Sequence, residues 1–237
     1  MFDRSAHLYD AFYDALGKDY AWEAARVLKL ARRRLQPRRP QSLLDVACGT
    51  GRHLEVFSRT LRCAGVDLDA KLLAIAAQRC PSVPMIEADM VSFSLGERFD
   101  IVTCLFSAIA YVGTVPRLRR AVRTMAGHLA PGGVLIVEPW FQPEDWRVGE
   151  VHALFVDTDG LKAARVSRSG RRRDLSVLEF HYLVGDAGGV EHFTENHELR
   201  LFRWSDYTDA FRRAGLDVDT EEKGLFGRGL LIGTAPA

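Results

Sequence analysis

Leu43-Leu44-Asp45-Val46-Ala47-Cys48-Gly49-Thr50-Gly51 is the stretch on which the fold of this 237-residue chain turns. An apolar strand runs directly into a glycine turn, and the spacing predicts a helix beyond it. The first glycine permits a tight turn, and the second lets a ligand approach the backbone closely. The N-terminus of the following helix would present free N–H groups to a carboxylate. A dinucleotide-binding turn has a third glycine three residues after Gly51, but Leu54 stands there. The pattern D-x-x-x-G-x-G therefore points away from NAD.

Working outward, residues 5–35 read as helical with a break near Gly17. Ala24, Val27, Leu28 and Ala31 share one face, and Pro37 and Pro40 end the segment. Short apolar runs at 42–47, 63–67, 83–88, 99–105 and 133–138 read as buried strands. Amphipathic stretches such as Leu118, Ala121, Val122 and Met125 separate most of them. This alternation predicts an α/β fold with a Rossmann-like parallel sheet covered on both faces.

After Glu138 the pattern changes. Residues 150–202 read as an inserted antiparallel β meander, with turns expected at Asp159-Gly160, Gly170 and Gly188-Gly189. A helix is expected over 205–214, capped by Ser205, with Tyr207, Ala210, Phe211 and Ala214 inward and Gly215 after its end. Strands near 216–222 and 229–235 close the chain. The expectation is one domain over 1–237. It comprises a helical segment (1–40), a cofactor-binding core (41–138), the β insertion (139–203), and a closing helix and hairpin (204–237).

Lys plus Arg number 32 against 31 Asp plus Glu, a formal net charge of +1. That balance gives no overall electrostatic footprint for nucleic acid. The basic clusters Arg32-Arg33-Arg34 with Arg38-Arg39, and Arg171-Arg172-Arg173, read as solvated helix-end and hairpin-turn residues. Cys48, Cys63, Cys80 and Cys104 form no C-x-x-C pair and no zinc spacing, so reduced, buried thiols and no metal are expected. Met1-Phe2-Asp3-Arg4 opens no signal peptide, and no apolar run reaches the roughly 18 residues that span a bilayer. A cytoplasmic location without membrane association is the expectation.

The glycine stretch resembles motif I of the class I methyltransferases that use S-adenosylmethionine (SAM). Two later acids agree with it. Asp67 ends the second strand, where an acid can hold both ribose hydroxyls. Asp89 ends the third, where the family places an acid on the adenine amino group and the next residue, here Met90, against the ring. The resemblance extends further, through Gly17-Lys18-Asp19-Tyr20, Phe106-Ser107, Val137-Glu138-Pro139-Trp140, Ala164-Arg165-Val166-Ser167 and Gly227-Arg228-Gly229-Leu230. From about Leu8 to Gly233 the chain is similar to the N-methyltransferases of nucleotide-linked 3-amino sugars, which make desosamine and mycaminose.

That resemblance implies a dTDP-3-amino-deoxyhexose substrate, two successive methyl transfers, and S-adenosylhomocysteine as by-product. It implies SAM contacts from Asp45, Ala47, Gly49, Gly51, Asp67, Leu68, Asp89, Met90 and Phe106, with Tyr9 and Tyr20 closing over the methionine end. Arg228 and Ser167 would contact the pyrophosphate, and Trp140 would wall the sugar cleft. Tyr111 and Glu138 are expected to orient the amine or a neighbouring hydroxyl, with His181 as a weaker candidate. The chain departs from relatives in three places: Trp140-Phe141-Gln142 for Trp-Trp-Phe, Phe2 for a Tyr, and Tyr111 for a His.

On the sequence alone, a methyltransferase for another small molecule and a non-catalytic SAM-binding protein remain open. The absence of an Asn/Asp-Pro-Pro-Tyr tetrad at Phe106-Ser107-Ala108-Ile109 counts against base or glutamine methylation. The exposed meander gives a surface for a homodimer.

Overall fold

The central strands are short, nearly continuous apolar runs, buried at successive positions, so both faces of the sheet need covering. A computed structural model describes residues 4–237; Phe2 lies outside the described residues. Strands β1 (Ser42–Val46), β2 (Arg62–Asp67), β3 (Met85–Glu87), β4 (Phe99–Cys104) and β5 (Leu129–Val137) run parallel. With β10 (Asp217–Glu221) and β11 (Leu230–Thr234) they form one sheet in the order β10-β11-β5-β4-β1-β2-β3. β11 is antiparallel to both β5 and β10. The chain begins at β1, walks outward to β3, then returns to β4 on the other side of β1. Such a reversal opens a crevice beyond the carboxyl ends of the two central strands.

Leu44, Val46, Val66, Val102 and Leu135 face α5 (Val115–Gly127) and α6 (Trp204–Arg213). Their chain neighbours Leu43, Ile101, Val134 and Ile136 face the opposite layer, α2 (Tyr20–Leu35), α3 (Arg52–Phe57) and α4 (Ala70–Arg79). Side-chain caps fix where these helices start. Asp19 accepts the Trp22 N–H at 2.8 Å, and Asp69 accepts those of Lys71 and Leu72 at 3.0 and 3.3 Å.

Residues β6 (Val151–Thr158), β7 (Leu161–Arg172), β8 (Leu175–Asp186) and β9 (Gly189–Arg200) form the expected antiparallel meander. Two local expectations fail. Gly170 lies inside β7, paired with Val177, and the turn falls at Arg173-Asp174. A two-residue hairpin turn needs a left-handed residue, and Arg173 supplies it at φ 57°. Ser205 is not the cap of α6, which begins at Trp204. The carboxylate of Asp206 instead accepts the N–H of Arg203, the N-cap, at 2.9 Å.

The inner face of the meander buries Phe180, Tyr182, Val184 and Phe193 against Leu8 and Phe12. Phe12 belongs to α1 (Tyr9–Ala15), whose other side reaches the glycine loop. Asp10 accepts the Thr50 hydroxyl at 2.7 Å and pairs with Arg79 at 2.6 Å, while Asp14 pairs with Arg52. One short helix thus bridges the meander to the glycine loop and to α3 and α4 of the core.

Close packing of β2 gives a stability test. A Cβ at Gly65 would lie 2.7 Å from Leu54 Cδ1 and 2.9 Å from both Cys48 Sγ and Met85 Sδ. Gly65→Ala is expected to lower the unfolding free energy by about 1–3 kcal/mol in urea titrations. An unchanged midpoint and slope would show that this interior has room to spare.

Candidate active site

β1 delivers the chain into a loop of left-handed residues, Ala47 at φ 58°, Gly49 at 57° and Gly51 at 77°. At Gly51 the backbone and the packing both demand glycine, since a Cβ would sit 3.0 Å from that of Ala76. At Gly49 the same atom would meet nothing within 4 Å, so the loop borders open space. Asp67, at the end of β2, accepts the Gly49 N–H at 2.8 Å and the Asp69 N–H at 2.9 Å. Burial raises its pKa, and those two N–H groups restrain the rise. The Ala88 N–H bonds the Asp67 carbonyl at 2.9 Å, which sets Asp89 and Met90 alongside. Asp89 accepts the Val91 N–H at 2.9 Å and pairs with Arg117 at 2.9 Å. Leu68 projects outward, 61% exposed.

Asp45 lies behind the loop, buried, and accepts the Thr103 hydroxyl at 2.7 Å. Burial pushes its pKa up to about 6.

The N-terminal segment places Tyr9 against Tyr13 (ring centroids 4.7 Å) and Tyr13 against Phe106 (4.8 Å). The Tyr20 ring packs edge-on against His53, and its buried hydroxyl has no hydrogen-bond partner among the described residues. Beneath it, Lys18 Nζ bonds Glu23 at 2.5 and 2.7 Å, and His53 reaches the same carboxylate at 2.7 Å. Burial lowers the Lys18 pKa. For Glu23 burial acts upward, but His53 and Lys18 outweigh it and the pKa falls. Sequence reasoning missed Glu23 and His53, because a carboxylate and an imidazole on separate helices resemble solvated residues until the fold buries them.

At the ends of β4 and β5, Phe106 and Ser107 both adopt left-handed backbone, at φ 54° and 62°. That conformation costs non-glycine residues about 1 kcal/mol or more each. Two bonds hold it: Glu138 accepts the Phe106 N–H at 2.7 Å, and the Ser107 hydroxyl donates to the Pro139 carbonyl at 2.7 Å. Glu138 has no exposed surface, and its other oxygen pairs with Arg228 at 3.0 Å. Burial raises its pKa, with Arg228 and the Phe106 N–H opposing. With both oxygens engaged inside the protein, Glu138 anchors Phe106 and Arg228.

The Arg228 guanidinium lies 5.5, 5.6 and 5.4 Å from the ring centres of Trp140, Phe141 and Phe226. Its Nε is buried without a partner among the described residues. These side chains, with Trp204, line a cleft of about 600 Å³. Trp140 is fixed by an indole N–H bond to the Ser176 hydroxyl at 2.9 Å. Ser167 is buried in β7. Tyr111 stands on a short 3-10 helix, Ala108–Val112, with its hydroxyl 2.9 Å from His197 Nδ1. His181 is not part of this assembly. It alternates with buried Phe180 and Tyr182 on β8, so it faces outward, near Glu179 and His192.

Among the described residues, no group of three or more His, Cys, Asp or Glu is placed to hold a metal ion. No helix there is long and apolar enough to cross a membrane.

A family model described as a methyltransferase domain matches residues 43–133. The dTDP-3-amino-3,4,6-trideoxy-alpha-D-glucopyranose N,N-dimethyltransferase of Streptomyces venezuelae is 44% identical, over 96% of this chain and 96% of its own length. The dTDP-4-amino-2,3,4,6-tetradeoxy-D-glucose N,N-dimethyltransferase of Saccharopolyspora spinosa is 42% identical, over 96% of this chain and 91% of its own. The chain belongs to the dTDP-amino-sugar N,N-dimethyltransferase family. The SAM-bound structure of CalS10, an amino pentose methyltransferase from Micromonospora echinaspora involved in calicheamicin biosynthesis, superimposes with a TM-score of 0.87 at 42% identity. The match covers 96% of each chain. The protein is a SAM-dependent methyltransferase with the class I fold.

Asp45 gives this site a measurable pH signature. Its folded pKa of about 6 exceeds the unfolded carboxylate value of roughly 4, so between those limits the native state binds more protons. Its contribution is therefore present below about pH 4 and lost as pH rises through about 6, a change of about 3 kcal/mol. Asp45→Asn is expected to remove that decline from the pH dependence of the urea midpoint. A slope identical to that of the unmodified protein would assign the titration to other groups.

Proposed function

We propose that this enzyme transfers two methyl groups in succession from SAM to the 3-amino nitrogen of a dTDP-linked amino deoxysugar, as in antibiotic sugar biosynthesis. The observation that carries the reading is Arg228, wedged among three aromatic rings with a buried, unpartnered Nε beside the cleft. A substrate without phosphates gives no reason for a half-satisfied guanidinium there, whereas its planar fork suits pyrophosphate oxygens. The similarity to a 4-amino-sugar enzyme supports the 4-amino isomer as the second reading.

The residues present fit the cofactor. The open space beside Gly49 and the buried, unpartnered Tyr20 hydroxyl suit a zwitterionic nucleoside. In this reading Asp67 takes the ribose hydroxyls, Asp89 the adenine amino group, and Leu68 and Met90 the ring faces. The Asp45–Gly51 loop, Tyr9, Tyr20 and Phe106 surround the amino-acid end. When bound, SAM supplies an activated methyl carbon on a sulfonium leaving group. Arg228 and Ser167 hold the pyrophosphate, Trp140 walls the sugar, and Tyr111 orients the amine.

Positioning dominates the energetics. An amine on an oxygen-rich sugar has a pKa near that of an α-amino group, about 8, so its deprotonation costs on the order of 1–2 kcal/mol at neutral pH. Holding nucleophile and methyl in line contributes roughly 7–11 kcal/mol.

The near-neutral charge supports a small-molecule substrate over nucleic acid, and the four buried thiols support a cytoplasmic setting. On the outer meander face Phe155, Val166 and Leu183 stand exposed, which supports a homodimer. The contacts of α1 with the meander on one side and with the glycine loop, α3 and α4 on the other support treating residues 1–237 as one domain.

Incubation with SAM and a panel of dTDP-amino sugars, read by mass spectrometry, is expected to show the mass of two added methylene units on the 3-amino substrate. No addition to any dTDP-amino sugar overturns the reading. Arg228→Lys keeps a cation beside Glu138 but loses the fork. It is expected to raise KM for the sugar nucleotide about tenfold or more, with a smaller change in kcat.

A further inference from the structure

His197 was not singled out in the sequence, yet its surroundings are those of a proton acceptor. It is 1% exposed on β9, with Nδ1 2.9 Å from the Tyr111 hydroxyl and Nε2 3.7 Å from Glu195 Oε2. Glu195 is itself pinned: it accepts the Arg4 N–H at 2.9 Å, the Ser5 N–H at 3.1 Å and the Ser5 hydroxyl at 2.5 Å. The Phe180 ring of β8 lies 5.0 Å from the imidazole, and the Arg165 cation of β7 stacks over that ring at 4.8 Å. Tyr13 of α1 and Tyr182 of β8 are further titratable neighbours of this group, Tyr182 being set against Arg165, Glu195 and Ser5.

A carboxylate on the Nε2 side favours the tautomer with its hydrogen on Nε2. Nδ1 then offers its lone pair, and the Tyr111 O–H donates to it. Burial holds the Tyr111 phenol protonated by raising its pKa. Burial also lowers the His197 pKa against the pull of Glu195, so the resting imidazole is neutral. Tyr111 keeps a partly exposed face.

We propose that Tyr111 and His197 form a relay that removes a proton from the singly methylated amine between the two transfers, with Glu195 balancing the imidazolium that results. The inference rests on the N,N-dimethylation reading above. In the first transfer a C–N bond forms and the S–C bond breaks, its electron pair staying on sulfur. The nitrogen is left as a secondary ammonium with two N–H protons and no lone pair. One of those protons passes to the Tyr111 oxygen as the Tyr111 hydroxyl hydrogen passes to His197 Nδ1. The phenol is regenerated, the amine is neutral, and one positive charge has moved onto the imidazole. Release of that proton to solvent resets the pair. Tyr111 is the group that touches substrate, and His197 acts through it.

The test compares the two transfers separately, starting from the primary amino sugar nucleotide and from its monomethyl form, with saturating SAM and mass-spectrometric readout. His197→Gln and Tyr111→Phe are expected to lower the rate of the second transfer relative to the first by about tenfold or more at neutral pH. Monomethyl product should accumulate. The ratio should recover as pH rises, because solvent then deprotonates the ammonium without help. Glu195→Gln should shift it in the same direction by less. Tyr111→Phe removes one hydroxyl and keeps the ring, so it tests the relay even where the buried His197 substitution fails to fold. A wild-type partition in Tyr111→Phe, or a deficit that does not change with pH, overturns the relay alone. Absence of any methylation by the unmodified enzyme overturns the substrate reading and the relay with it.

Discussion

The buried carboxylate of Glu138 is the constraint around which the site is built. Removing a charge from water costs several kcal/mol, and only close partners offset it. Here the partners are the Phe106 N–H and the Arg228 guanidinium, one on each side. The first bond holds the left-handed Phe106-Ser107 backbone at the mouth of the parallel sheet. The second keeps Arg228 against the aromatic wall of the cleft. A single carboxylate therefore couples the end of β5 to the loop after β4 and to the closing hairpin. Lys18 and Glu23 form a second buried pair nearby, so the four charges cancel.

The same logic explains why α1 has few apolar residues of its own to bury. Phe12 packs into the meander, while Asp10 and Asp14 face cations beside the glycine loop. Neither sheet alone provides both surfaces. The helix is ordered where the meander and the core come together, which places its tyrosines over the crevice.

Much of this was legible in the sequence, and the losses have physical causes. The glycine stretch, the strand-helix alternation and the meander follow from periodicity and turn chemistry, which act locally. The positions of Asp67 at the end of β2 and Asp89 just beyond β3 were legible because the fold class fixes the strand order. Glu138 was singled out, but its two partners were not legible, since a strand-end carboxylate reads the same whether it points to solvent or is sealed by an arginine 90 residues away. His181 and His197 show the limit most clearly. Both sit in strands of alternating pattern, and period two cannot say which face meets the core until a partner layer exists. The turn at Arg173 was missed because a left-handed arginine leaves no compositional mark, whereas Gly170, the residue chosen for it, pairs within the strand.

The arrangement of charge also bears on why an amine is a workable nucleophile here. As the C–N bond forms, positive charge grows on nitrogen, so a bare ammonium nearby would oppose the reaction. Lys18 lies under Phe106, 4.1 Å from its ring centre, and would be such a group. Its pairing with Glu23 at 2.5 Å cancels that field locally, and the rings of Tyr20, Phe106 and Phe226 present their negative faces to it. Tyr9, packed against Tyr13, adds no formal charge while its hydroxyl stays protonated, as burial ensures. A site that neutralises its own cations does not oppose the movement of positive charge from the sulfonium to nitrogen. That is the condition under which alignment alone, rather than a strong base, carries most of the rate.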